Sequence, residues 1–164
     1  MRQTAWRYRA DACDAVVHSV AAFAGLRTDG ETFERVNGDA AILTALEAER
    51  AGVDTFVFLS AAAKPPGVRN AYLTAKRRAE SSIADLDFDA VSLRPGPVYG
   101  EGQPHLPGVA DRVLRFAASA PPIASRLGES RPLSVDTVAR ATYRAAIDPG
   151  ERLLDVSDIR DLAG

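Results

Sequence analysis

Short apolar runs rich in β-branched residues alternate along the chain with segments whose apolar positions recur every three or four residues. The first run, Asp14-Ala-Val-Val-His-Ser-Val20, is followed by small residues and Gly25, which predicts a strand buried on both faces and ending in a tight loop. From Thr32 the period changes: Phe33, Val36, Ala40, Leu43, Ala45, Leu46 and Ala48, with Glu31, Glu34 and Arg35 between them, predict an amphipathic helix stopped by Gly52. Thr55 to Ser60 is short, aromatic and β-branched, a second buried strand running into a small-residue loop that ends at Pro65-Pro66-Gly67. A second helix, Ala71 to Ala84, carries Lys76, Arg77, Arg78 and Glu80 on positions expected to be exposed, and Asp87 to Leu93 is a third strand broken by Pro95.

Beyond the Pro/Gly-rich stretch from Arg94 to Gly108, the pattern predicts a helix over Val109–Ala118 and an extended piece over Arg131–Val135. A helix over Asp136–Ile147 follows, with Asp136 as N-cap, then a short strand over Leu153–Val156 and a helical turn starting at Ser157 or Asp158. Met1 to Ala12 has no clear period and reads as a lead-in, and no internal repeat is visible. Because parallel neighbours need helical crossovers, the β-α-β-α-β order implies an α/β fold with a parallel sheet covered on both faces.

Composition narrows the function classes. A chain of 164 residues with 46% hydrophobic and 26% charged residues is expected to form one soluble globular domain, and disorder or a collagen-like fibre is excluded. Twenty basic against 22 acidic side chains leave a net charge of −2, which gives no electrostatic reason to expect a nucleic acid or an anionic membrane as partner. One cysteine, Cys13, excludes an internal disulfide, and with only His18 and His105 there is no cluster to hold zinc. The apolar stretch from Ala15 to Leu26 is too short to cross a bilayer and no secretory signal precedes it, so a cytoplasmic location is expected.

Candidate chemistry begins at Tyr72-Leu-Thr-Ala-Lys76, where spacing by four puts a phenol and an ammonium on one helix face. An ammonium beside a phenol favours the tyrosinate and brings a group with a pKa of about 10 closer to acid–base work near neutrality. Taken alone, the same spacing equally describes an aromatic anchor beside a solvated charge. Three further segments stand in order around it: Cys13-Asp-Ala-Val-Val-His-Ser-Val-Ala-Ala22, Val36-Asn37-Gly38 ahead of a helix, and Phe56-Val-Phe-Leu-Ser60, while Leu93-Arg-Pro-Gly-Pro-Val-Tyr-Gly100 closes the set.

Together, from about Cys13 to Ile147, these segments resemble the extended and atypical short-chain dehydrogenase/reductase superfamily. The resemblance implies a partial Rossmann-like, doubly wound parallel sheet with a small, mainly helical C-terminal region. Within a single domain over 1–164, residues 13–100 would form the Rossmann-like half and 101–164 the substrate side. It implies NAD or NADP as cofactor and an unknown small-molecule substrate, with Tyr72 as proton donor or acceptor. Lys76 would bind the nicotinamide ribose and lower the Tyr72 pKa. The resemblance places Ser19, Val20 and Ala21 where backbone meets the dinucleotide, Asn37 as a support for Lys76, and Pro95, Gly96, Pro97 and Val98 against the nicotinamide. Ser60 would be the hydroxyl that polarises the substrate, although the extended enzymes place that hydroxyl a residue or two further on, at Ala61 and Ala62 here.

The short separation of Ser60 and Tyr72 is more like the atypical branch, which includes an accessory subunit of respiratory complex I and a ubiquinone-biosynthesis protein. An oxidoreductase or epimerase-like protein is therefore expected, and a non-catalytic nucleotide-binding subunit or assembly factor of a respiratory or quinone system is the alternative. The family also implies a homodimer through the two helices after the first two strands, or association with a membrane complex.

The front of the chain departs from the family. Met1 to Ala12 contains no glycine, and Gly96, Gly100 and Gly102 lack the fingerprint spacing of the turn that holds a pyrophosphate. The chain is therefore expected to be a C-terminal portion, truncated before the pyrophosphate site. It would lack the residue that tells NAD from NADP and would have an exposed strand edge, and the alternative is that the chain alone neither binds the cofactor nor folds well.

Other residues read more plainly. His18 is expected to be a core or loop-facing histidine, His105 a solvated loop residue, and Cys13 a small buried residue. Arg77 and Arg78, followed by Glu80, suit a salt-bridged surface. Arg131-Pro-Leu-Ser-Val-Asp136 is either a pocket arginine or a strand-to-helix join capped by Asp136. Asn37, ahead of a buried helix face, needs a polar partner.

Overall fold

The computed structural model describes residues 13–21, 34–63, 70–100, 108–119 and 127–164. In chain order these hold β1 (Ala15–His18), a π-helical turn (Arg35–Asp39), α1 (Ala40–Arg50), β2 (Thr55–Leu59), α2 (Ala71–Ala84), β3 (Asp89–Leu93) and β4 (Val98–Tyr99). They continue with α3 (Gly108–Ser119), a 3-10 turn (Gly128–Ser130), β5 (Leu133–Ser134), α4 (Val135–Ile147), β6 (Leu153–Leu154) and α5 (Val156–Ala163). The fold class is the expected one. Strands β1, β2, β3 and β6 form one parallel sheet in that spatial order, and β4 and β5 pair in a second, two-stranded parallel sheet.

The side-chain period of two explains how the sheet is covered. Phe56, Phe58 and Ala90 point to one face, where Ala41, Ala45 and Ala48 of α1 and Ala79 and Ile83 of α2 meet them. Val57, Val91 and Leu93 point to the other, against Val138, Ala141 and Ala145 of α4 and Ile159 of α5. Small alanines on α1, α2 and α4 let these helix backbones approach the sheet closely. β2 is buried on both faces, which is why its sequence shows no alternation.

Several boundaries and caps differ from the sequence expectation. The first strand covers four residues and the third begins at Asp89. The segment expected to be one amphipathic helix contains the π-helical turn, in which Asn37 and Gly38 are buried. In α2, Lys76 and Glu80 are buried rather than exposed, since they share a face with Tyr72, Ala75, Ala79 and Ile83. The N-cap of α4 is Ser134, whose hydroxyl accepts from the Thr137 amide at 3.0 Å, while Asp136 sits in the first turn, where its charge suits the helix dipole. The last helix is longer than one turn and is capped by Asp155, with Asp158 completing a capping box.

Pairing of Val98 with Leu133 and of Tyr99 with Ser134 ties the loop after β3 to the entry of α4. Gly100 follows with φ of 153°, and a Cβ there would lie 2.9 Å from Val135 Cγ2, so a side chain is excluded at this join. Met1–Ala12, Gly25, Thr32, Phe33, Pro65-Pro66-Gly67, Gly102 and His105 lie outside the described residues.

Candidate active site

The carboxyl ends of parallel strands are where ligands bind in open α/β sheets, because loops diverge there and leave a crevice. At that edge β1 runs into Ser19, Val20 and Ala21, all exposed, β2 runs into Ser60, and β3 runs into Arg94, buried Pro95 and Gly96. α2 lays Tyr72 and Lys76 over it. Lys76 is 1% exposed, and its Nζ donates to the carbonyl of Leu59 at 2.9 Å and to that of Val20 at 3.1 Å, joining the ends of β1 and β2. The ammonium also lies 4.7 Å from the centroid of the Phe58 ring.

Burial lowers the Lys76 ammonium to about 8, with the Glu80 carboxylate pulling the other way. Tyr72 is 2% exposed, and burial pushes its phenol up to about 12, opposed by the charge of Arg77. Burial outweighs the nearby charge, so the phenol lies above its ordinary value. His18 is buried against Phe58, with ring centroids 5.9 Å apart. Burial, reinforced by Lys76, lowers its pKa to about 4, so it is neutral at physiological pH and a weak base, as suits a core histidine. Its Nε2 has no hydrogen-bond partner among the described residues.

One turn beyond Lys76, Glu80 anchors a set of charges, of which the sequence pattern suggests a surface position for Arg77 and Glu80. Its carboxylate, in a residue 8% exposed, takes Arg77 Nη1 at 2.6 Å, Arg94 Nη2 at 2.5 Å and Arg94 Nε at 3.0 Å. Burial alone would raise the Glu80 pKa, but hydrogen bonds from Arg94 and Ser60 and the charges of Arg77 and Arg94 hold it below the usual carboxylate value. Arg77 reaches further, to the carbonyls of Ala61 at 2.9 Å and Ala62 at 3.3 Å and to Ser60 Oγ at 3.3 Å. Arg78 is the surface member of the pair and meets Asp39. The Ser60 amide bonds Leu93 O at the end of β3 at 2.8 Å, and the loops after β2 and β3 are themselves joined by the Ala62 amide to Pro95 O at 2.9 Å. Glu80 was legible as the third member of a Tyr72, Lys76, Glu80 series spaced by four; Arg94, remote in sequence, was legible only as part of its loop motif.

The remaining candidates fall into place around this core. Asn37 is fully buried in the π-helical turn, which packs on α2. Gly96 is half-buried and Pro97 exposed, with Val98 in β4. Cys13 is exposed rather than buried, because it precedes the first paired residue of β1. Arg131 belongs to a strand-to-helix join, with its amide on Gly128 O at 3.0 Å, and the cap of that join is Ser134. No helix among the described residues is long and apolar enough to cross a membrane.

The fold is Rossmann-like. It matches ADP-L-glycero-D-manno-heptose-6-epimerase of Helicobacter pylori over 96% of this chain and 60% of that one, at 18% identity and a TM-score of 0.62. It also matches MoeE5 in complex with UDP-glucuronic acid and NAD, over 87% of this chain and 56% of that one, at 21% identity and a TM-score of 0.58. No family model matches the chain. In sequence it is 30% identical over 132 residues to a ceramide reductase of Caulobacter vibrioides (strain NA1000 / CB15N), a match covering 79% of this chain and 40% of that protein. The chain thus spans 40% to 60% of the length of these relatives.

Proposed function

We propose that this chain forms the nicotinamide-facing part of an NAD(P)-dependent oxidoreductase or epimerase-like protein of the atypical extended short-chain dehydrogenase branch. The supporting observation is the ammonium of Lys76, held at the carboxyl ends of β1 and β2 by Val20 and Leu59, four residues along the same helix face from Tyr72. An ammonium there suits hydroxyls of the nicotinamide ribose, with Ser19, Val20 and Ala21 on one side, Pro95, Gly96, Pro97 and Val98 on the other, and Asn37 supporting the helix that carries it. A bound nicotinamide cofactor supplies or accepts the hydride. With a pKa near 8, Lys76 is mostly protonated at neutral pH and serves as a donor; Tyr72, protonated up to about 12, serves as an acid.

A phenol protonated at neutral pH can deliver a proton to an oxygen that gains charge as a carbonyl is reduced, and the burial that raises its pKa makes it a weaker acid, which the charge of Arg77 partly offsets. The likeness to a protein named ceramide reductase, at 30% identity over 132 residues, supports reduction. We place residues 13–100 at the cofactor and 101–164 on the substrate side, in a cytoplasmic protein that pairs as a homodimer.

The experiment is oxidation of NADH and NADPH against ceramide-class lipids and UDP-sugars. Tyr72→Phe is expected to lower turnover by about 100-fold or more while leaving the fold intact. Unchanged turnover removes Tyr72 from the chemistry.

A second reading, a non-catalytic nucleotide-binding subunit or assembly factor of a respiratory or quinone system, is favoured by one observation. The Ser60 hydroxyl is engaged with Arg77 and Glu80, and the next two residues, Ala61 and Ala62, offer no hydroxyl to a substrate. Co-purification with a larger complex and no turnover would support this reading; turnover by an isolated monomer or dimer would contradict it.

A further inference from the structure

We propose that Arg77 is a positioning residue of the site: its guanidinium, braced by Glu80, fixes the hydroxyl of Ser60 and the carbonyls of Ala61 and Ala62, and so sets the loop after β2 against the Pro95 bend after β3. This rests on the reading of those two loops as the cofactor end of the site. The guanidinium meets four acceptors through its two terminal nitrogens, Nη1 reaching Glu80 Oε1 at 2.6 Å and Ser60 Oγ at 3.3 Å, and Nη2 reaching Ala61 O at 2.9 Å and Ala62 O at 3.3 Å. A planar fork with five donors can do this, whereas the three donors of an ammonium radiate from a single atom.

Glu80 is held on its other side by Arg94, whose next residue, Pro95, accepts the Ala62 amide at 2.9 Å. Helix, first loop and second loop therefore close into one ring of polar contacts, built on a carboxylate that is itself buried. In a low-dielectric setting such a ring is stiff when complete and costly when one member is lost. Arg77 has a second effect on the site, because its charge is the one that opposes burial at the Tyr72 phenol. The two effects separate by substitution: a lysine keeps the charge and loses the fork, and a glutamine loses both.

The test is amide hydrogen exchange in the full chain, wild type against Arg77→Gln, Arg77→Lys and Glu80→Gln, together with the ionisation of Tyr72 read from tyrosinate absorbance relative to Tyr72→Phe. Arg77→Gln is expected to speed exchange at Ser60 and Ala62 by about tenfold or more relative to Val57 in the middle of β2, and to move Tyr72 ionisation to higher pH. Arg77→Lys is expected to loosen the same two amides while leaving Tyr72 ionisation close to wild type, so it carries the test even if the glutamine variant does not fold. Glu80→Gln is expected to loosen Ser60 and Ala62 as well.

Exchange at Ser60 and Ala62 within about twofold of wild type in both Arg77 variants overturns the proposal, as does an equal acceleration at Val57. An NADH titration on the same samples separates the two levels of inference. Local loosening without any NADH binding by wild type would remove the site reading and leave Arg77 holding the loops; NADH binding with unchanged exchange would do the reverse.

Discussion

Lys76 shows how a charged residue becomes a core residue. The alternation of charges along α2 suggests a solvated face, yet two carbonyls and an aromatic ring supply what water would have supplied, and the side chain turns inward. Spacing alone therefore revealed which residues share a face with Tyr72, but not whether that face meets water. His18 poses the opposite problem, a polar residue buried beside that same ammonium, and stability carries its signature. Its folded pKa of about 4 lies below the 6.5 expected when unfolded, so between those values the unfolded chain binds more protons and stability falls as the pH is lowered through that window. Urea unfolding of wild type and His18→Leu at pH 7.5 and pH 4 should show wild type losing up to about 3 kcal/mol more than the variant. Equal losses would mean that His18 is solvated.

At the scale of elements, three-and-four spacing identified every long helix and short apolar runs identified the strands of the main sheet. What it missed has a physical reason in each case. The π-helical turn at Arg35–Asp39 changes hydrogen bonding without changing which residues are apolar, so periodicity does not register it. It brings Gly38 against α2, where a Cβ would lie 2.9 Å from Arg78 Nη2 and 3.2 Å from the carbonyl of Ala75. The arginine can swing away but the helix carbonyl cannot, so Gly38→Ala should cost about 1–3 kcal/mol in thermal or urea unfolding; no change would mean that the two segments separate freely.

The caps were misread because Asp136 and Ser134 both fit the composition of an N-cap, and only the backbone distinguishes them. Ser134→Ala should destabilise by about 1 kcal/mol, and Asp136→Ala by only a few tenths. The reverse order would restore the cap to Asp136.

For the molecule as a whole, the sheet runs β1-β2-β3-β6 in one direction, with α1 and α2 on one face and α4 and α5 on the other. This layering was legible in the order of apolar segments, and the positions of Tyr72 and Lys76 followed from it, because a helix between parallel strands must start near their carboxyl ends. The Arg77, Glu80 and Arg94 ring was not legible, since it depends on two loops that meet only once the sheet has formed. Similarity at 18–21% to structures in which this chain spans 56–60% of the length establishes the fold; what the site does is a question for binding and turnover.

The most direct measurement is a fluorescence titration of NADH against the full chain, its Lys76→Met variant and its Tyr72→Phe variant. The account predicts saturable binding by the wild-type chain, weakening by about tenfold or more in Lys76→Met, and near wild-type affinity in Tyr72→Phe, since only the lysine is assigned to the ribose. Equal affinity in wild type and Lys76→Met, or no saturable binding by any of the three, would contradict it.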